Sequence, residues 1–288
     1  MRYGFISDLH DHPEALEGIP WDKIDEVYCL GDLVEKDVNK ARLIIDTLDT
    51  KGVKCVLGQH DRALFSERDL WDYYDRMKME SQPKRSMVNF QSANHLRENI
   101  GKRYIDWLRQ WEERIMDISL EGKDFAIKAK IVHDCLTPLT VHESIQIGFE
   151  GKQKSRIITP YHAIKNFLAD RDYDLLIHGH IHQPSFYYKR QGRSRYITHN
   201  DVTEGTKPIK ILPGRRYIIC PGSMSGDSGI KEILNSGNDF DDHVNQYSFL
   251  IIDTSRRGRY LSDTNGTMKF EFRFGLRKES YLTERLRK

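Results

Sequence analysis

The sequence predicts an α/β fold in a single domain: two mixed β-sheets packed as a sandwich, flanked by helices and interrupted by a helical insertion. Three observations lead there. Apolar strand-like runs alternate with an amphipathic helix over the first sixty residues. A stretch without strand signals follows, from Arg62 to about residue 118. Short strand-like runs then return, with turn signals between them, to about residue 275.

Arg2–Ser7 and Val27–Leu30 are buried-strand runs. Asn39–Thr50 places Ala41, Ile44, Ile45 and Leu48 on one helical face, and Gly52 is suited to close that helix. Lys51–Leu57 then supplies a third strand. This β-β-α-β order argues for parallel neighbours covered by helices. Within the insertion, Ser66-x-x-Asp69 is a helix-start pattern, carrying Leu70, Tyr74 and Met77. Tyr104, Leu108, Trp111 and Ile115 form a second helical stripe. These aromatics read as the insertion's own core, with a substrate-stacking surface as the alternative. Lys130–His133 and Asp174–His178 are further strands, separated by a helix over Pro160–Asp170. Pro184–Tyr188, Arg216–Cys220, Tyr247–Asp253 and Lys269–Phe274 follow at spacings that suit an antiparallel or mixed second sheet. Residues 201–214 read as a polar loop and 276–288 as a basic, charged tail.

Composition narrows the class. The chain has 288 residues, enough for a sizeable core. Its 45 basic and 43 acidic residues nearly cancel, which disfavours a protein that coats nucleic acid. No apolar run approaches the roughly 18 residues of a membrane span. Met1–Ile6 is too short for a signal peptide and runs into Asp8 and His10, so the expected location is cytoplasmic. Cys29, Cys55, Cys135 and Cys220 lack CxxC spacing and read as small buried hydrophobes in a reducing compartment. Asn265-Gly266-Thr267 fits a glycosylation sequon, and in such a compartment reads as an ordinary turn.

The chemistry lies in what ends the strands. Asp8-x-His10 follows the first run, Gly31-Asp32 the second and Gly58-Gln59-His60-Asp61 the third. His133 and Gly179-His180-x-His182 end two later ones. Taken singly these pieces are weak. Together they supply an acid–imidazole pair, an acid able to bridge, an amide and further imidazoles, which is enough for two ions. Divalent ions about 3.5–4 Å apart repel, so a carboxylate and a hydroxide must bridge them. Mixed oxygen and imidazole donors suit Mn, Fe or Zn better than Ca or Mg. Such a centre suits in-line attack on phosphorus.

In order and type these pieces resemble the calcineurin-like metallophosphoesterase superfamily, whose pattern is Asp-x-His, Gly-Asp, Gly-Asn-His-(Glu/Asp), His and Gly-His-x-His. Pro221-Gly222-Ser223 and the closing strands resemble its bacterial phosphodiesterase and phosphatase branch. The resemblance implies a four-layer metallophosphoesterase fold. It implies that Asp8, His10 and His182 hold one metal, that Asp32 bridges, and that His133, His180 and Gln59 hold the second. His60 would face the substrate and serve the leaving oxygen. By position, Glu35 would support His60 and Lys36 would attract phosphate. His12 reads as a loop residue or substrate contact, His178 as a core histidine and His95 as a surface one. Gln59 departs from the family's Asn, and its longer amide must fold back to reach the same point.

The implied activity is metal-dependent hydrolysis of a phosphomonoester or phosphodiester by a metal-bridging hydroxide. A small substrate is expected, such as a nucleotide or dinucleoside polyphosphate. One alternative is a protein serine/threonine phosphatase acting on a phosphoprotein. Another is a catalytically weak or inactive scaffold of this fold that binds a protein partner.

Overall fold

The computed structural model describes residues 1–80, 83–112, 115–122, 126–133, 173–180, 182, 185–190, 193–197, 209–211, 216–225, 246–254 and 268–276. Strands β1 (Arg2–Ile6), β2 (Glu26–Cys29) and β3 (Lys54–Cys55) pair in parallel, as the opening pattern requires. Helix α1 (Val38–Thr50) crosses from β2 to β3. Its N-cap Asp37 accepts hydrogen bonds from the amides of Asn39 at 3.0 Å and Lys40 at 3.1 Å. Gly52, at φ +64°, follows its last turn.

The second sheet runs in the order β4 (Ile115–Glu121), β5 (Ala126–Val132), β6 (Leu175–His178), β10 (Arg216–Cys220), β7 (Ser185–Arg190), β8 (Arg193–Ile197). Its middle strands β5, β6 and β10 are parallel. The late strands do not all join this sheet. Strands β11 (Gln246–Asp253), β12 (Met268–Leu276) and β9 (Ile209–Ile211) extend the first sheet beyond β1. Side-chain alternation gives the reason. Leu250 and Ile252 pair with Phe5 and Tyr3, so all four project into the same core.

That core lies between the sheets. Tyr3, Phe5, Tyr28 and Leu30 from one meet Ile131, Leu175, Ile177 and Ile219 from the other, all buried. The opposite face of the first sheet, through Ile6, Cys29 and Cys55, packs on Ile44, Ile45 and Leu48 of α1 and on Leu108 of α5 (Lys102–Arg109). A helical layer and two sheets are therefore described. The architecture is an α/β sandwich of two mixed sheets flanked by helices. Cys29, Cys55 and Cys220 are buried thiols that form no disulfide with one another.

The insertion is helical through α3 (Glu67–Glu80), α4 (Pro83–Asn99) and α5. The Ser66 hydroxyl accepts from the Asp69 amide at 3.1 Å, as the start pattern predicts. Leu70, Tyr73, Ala93 and Ala63 form a small core with Phe90 packed against it. The buried tyrosine is thus Tyr73, three residues after Leu70, rather than Tyr74. The insertion also ends earlier than expected. Ile115 does not continue the stripe of Tyr104, Leu108 and Trp111; it opens β4, and residues 115–118 pair with Val132 to Ala129 of β5. The alternation Ile115, Asp117, Ser119 against Met116, Ile118, Leu120 is a strand period. Cys135, the 160–170 helix, the 201–208 part of the polar loop, the 265–267 turn and residues 277–288 of the tail lie outside the described residues. No described helix is long and apolar enough to cross a membrane.

Candidate metal centre

Parallel strands bring chemically equivalent ends to one edge of the sandwich, where open α/β sheets form crevices. Asp8 and His10 follow β1, and Asp32 follows β2. Gln59 and His60 open the short helix α2 (Gln59–Arg62) after β3. His133 follows β5, and His180 and His182 follow β6. The side chains converge as three overlapping groups, each with ligand atoms within 4.8 Å of one another: Asp8, His10 and His182; His10, Asp32 and His60; Asp32, His133 and His180. Gln59 joins through its amide nitrogen, 3.1 Å from His180 Nδ1.

The backbone is bent to achieve this. Among the described residues, six other than glycine have positive φ: Asp8, His10, Asp11, Asp32, His180 and His182. Each such turn costs of order 1 kcal/mol, and such residues concentrate where function over-determines the chain. Five of the six are residues singled out as ligands. Two glycines allow the close approach. A Cβ on Gly58 would collide with the Asp32 carboxylate, and one on Gly179 with the Ser7 hydroxyl and the Asp8 carboxylate.

Asp32 is wholly buried, with Oδ2 3.0 Å from His133 Nε2 and 3.8 Å from His10 Nε2. Asp8 Oδ1 lies 3.2 Å from His182 Nε2 and 3.8 Å from His10 Nε2. Burial opposes charge on both acids. The imidazoles prevail, those of His182 and His10 at Asp8 and of His133 and His60 at Asp32, and hold both well below the usual carboxylate range. Burial works against the imidazolium of His10, but Asp8 and Asp32 raise it to about 9. His60 is pushed down to about 3 by burial, with neighbouring imidazoles adding to the effect against Asp32. Burial also lowers His178 to about 4, and its Nδ1 lies 3.0 Å from the Gly179 carbonyl.

The donor set fits divalent cations. His10 Nε2 and His182 Nε2 stand 3.2 Å apart, a spacing natural for two nitrogens sharing one cation. Among the described residues, Asp32 Oδ2 and Gln59 Oε1 are buried without a hydrogen-bond partner, which is costly unless something charged completes them. His133 Nδ1 lies 2.6 Å from the Leu30 carbonyl, so that nitrogen carries the proton and Nε2 presents its lone pair toward Asp32. The Gln59 side chain reaches His180 through its amide nitrogen, while its Oε1 is the atom left over for a cation.

Several supporting residues carry less obvious signals. Asp61 accepts from the amides of Asp32 at 2.8 Å, Leu33 at 2.9 Å, Val34 at 3.3 Å and Gly58 at 3.0 Å, and so clamps the Asp32 turn onto the α2 turn. Burial and the charge of Asp32 push its carboxyl up to about 7, against the pull of those amides. Asp61 closes the Gly-Gln-His-Asp piece at the acidic position of the family pattern, and its bond from the Gly58 amide is the N3 half of a capping box. Asp11 accepts from the amides of Glu35 at 3.0 Å, Lys36 at 2.6 Å and Asp37 at 2.7 Å, 24 to 26 residues away, which no local pattern announces. The Ser7 hydroxyl donates to Asp8 Oδ2 at 2.5 Å and the Ser223 hydroxyl to the Asp8 carbonyl at 2.9 Å.

Glu35 and Lys36 do not meet His60. They line a cleft of about 520 Å³ beside His10, together with His12, Lys40 and His95 of α4. The group at His60 Nδ1 is the hydroxyl of Tyr73, at 3.4 Å. His12 pairs with Glu14 at 3.0 Å.

The model of the calcineurin-like phosphoesterase superfamily domain matches residues 1–229. The chain belongs to that superfamily. The matched span holds every candidate ligand from Asp8 to His182 and the Ser223 loop, while β11 and β12 lie beyond it. A metallophosphoesterase from Sphaerobacter thermophilus shares the fold: 18% identity, TM-score 0.52, with 94% of this chain and 88% of that one covered. Vps29 of Entamoeba histolytica in complex with Zn²⁺ aligns at 14% identity and a TM-score of 0.36 over 96% of this chain and 100% of that one. No curated protein matches the sequence.

Proposed function

We propose that the protein is a dinuclear metal-dependent phosphoesterase acting on small phosphomonoesters or phosphodiesters. The observation that carries this reading is the buried Asp32 Oδ2, without a hydrogen-bond donor between His133 and His10. An acid so placed, shared between two imidazole-bearing groups, suits a bridge between cations. Asp8, His10 and His182 would hold one ion, His133, His180 and the Gln59 amide oxygen the other, and Asp32 would serve both. Imidazole and oxygen donors favour Mn, Fe or Zn. When bound, the ions neutralise phosphate charge and activate a water molecule.

The protein's own groups do the rest. The Asp61 and Asp11 clamps fix the loops that carry Asp32 and Glu35–Asp37. His60, neutral in its buried position, donates a hydrogen bond to the leaving oxygen. The rest of the substrate lies in the cleft beside His10, where Lys36 attracts phosphate as a point charge. The cleft's 520 Å³ is large enough for a nucleotide-sized group.

The test is hydrolysis of an aryl phosphate ester and diester with Mn²⁺, paired with elemental metal analysis. Asp32→Asn should reduce turnover to background and lower the metal count. Full activity in that variant, or a wild-type protein that binds no metal, would refute the proposal.

A further inference from the structure

We propose that Tyr73, supplied by the helical insertion, is a positioning residue that keeps the His60 proton on Nε2 and thereby makes His60 a hydrogen-bond donor rather than a metal ligand. The inference rests on the reading of His60 given above. A neutral imidazole carries one proton, and whichever nitrogen accepts a hydrogen bond leaves the proton on the other. The Tyr73 hydroxyl lies 3.4 Å from His60 Nδ1, with the rings edge to face at 5.0 Å. Among the described residues it is the only polar group at that nitrogen. Phenol is the more acidic of the two groups and a neutral imidazole nitrogen the better acceptor, so the pair is favoured with Tyr73 donating, Nδ1 accepting and the proton kept on Nε2.

The second nitrogen is the one left for the centre. His60 presents a ring nitrogen within the group formed with His10 and Asp32, and its ring meets His10 edge-on at 4.8 Å. Without a fixed tautomer, a lone pair there would compete for a cation. With Tyr73 in place, the same position offers N–H to an oxygen gaining negative charge as its bond to phosphorus breaks. Two further contacts hold the arrangement. The His60 amide donates to Asp32 Oδ1 at 3.0 Å, and Tyr73 is buried among Leu70, Ala63 and Ala93. The insertion therefore reaches the centre through one hydroxyl, although its sequence carries no family motif.

Tyr73→Phe removes that hydroxyl and keeps the ring. In metal-free, ¹⁵N-labelled protein, ring-nitrogen correlations should put the His60 proton on Nε2 in the wild type and on Nδ1, or on both, in Tyr73→Phe. An unchanged tautomer overturns the proposal. In Mn²⁺-loaded enzyme, kcat for an alkyl phosphate ester, whose leaving oxygen gains full charge, should fall about tenfold, the worth of one hydrogen bond. For a 4-nitrophenyl ester it should change less than about twofold, and KM should hold for both. Equal loss on both esters would mean a merely structural role and would also overturn the proposal. Phe90→Leu, which disturbs the same small core, should leave the tautomer as in the wild type; a switch there would assign the effect to packing and overturn the proposal. A wild type that turns over neither ester would sink the phosphoesterase reading, while the tautomer measurement would still decide Tyr73.

Discussion

Asp61→Asn tests whether one buried carboxylate holds the centre's two turns together. Oδ2 accepts from the amides of Asp32 at 2.8 Å and Gly58 at 3.0 Å, and Oδ1 from those of Leu33 at 2.9 Å and Val34 at 3.3 Å. An asparagine keeps one oxygen and turns an NH2 group toward the other two amides. Two buried N–H groups then lose their acceptor, at about 1–3 kcal/mol each. The expected loss is about 2–6 kcal/mol, large against the ~5–15 kcal/mol of a typical domain. Urea unfolding of metal-free protein reads it directly; at a slope of roughly 2–3 kcal/mol/M the midpoint should fall by ~0.7–3 M. Because Asp32 shares the clamp, equilibrium dialysis should also show weaker metal binding. A variant within about 0.5 kcal/mol of wild type, with undiminished metal uptake, would refute the clamp.

Three other outcomes are expected. Gly58→Ala places a methyl group on the Asp32 carboxylate and should abolish metal binding while the far-UV spectrum stays native; normal stoichiometry would contradict the close approach. Gln59→Asn should leave metal stoichiometry and aryl-ester turnover within about threefold, since the present amide already reaches His180; a large gain would mean that the glutamine holds its ion poorly. His178 is buried with its pKa lowered to about 4, so the stability it contributes is complete above pH ~6.5 and is lost as pH falls toward 4. The loss is of order 3 kcal/mol. His178→Asn should flatten that acid limb in metal-free protein, as read by denaturant unfolding at pH 7 and 4.5, and an unaltered limb would count against it.

The parallel opening of the fold was legible because its signals are local. Apolar runs at Tyr3–Ile6 and Val27–Leu30 and the stripe Ala41, Ile44, Ile45, Leu48 report period and burial within a few residues. The membership of the late strands was not, because Tyr247–Asp253 reads alike in either sheet; only its register against β1 decides. Ile115 was misassigned for a related reason: one apolar residue at the end of a helical stripe also fits the first position of an alternating strand. At the site, the candidate ligands announced themselves at strand ends. Of those that work on distant backbone, Asp61 stood within a strand-end piece and Asp11 did not. Asp11 grips amides two dozen residues later, and nothing around it in the chain marks that role.

The backbone explains why the legible residues fall as they do. Asp8, His10, Asp32, His180 and His182 adopt positive φ, a region where aspartate and histidine are tolerated better than β-branched or bulky residues. The same types are the best donors for a mixed oxygen–imidazole centre. Ligand chemistry and turn chemistry thus select the same residues at the same positions. The strain they store is opposed by the amides on Asp61 and Asp11 and by the Ser7 and Ser223 hydroxyls on Asp8. A metal centre built on these residues would be rigid at its ligands. Specificity must then come from what is hung around it, here the cleft beside His10 and the insertion helices α3 and α4.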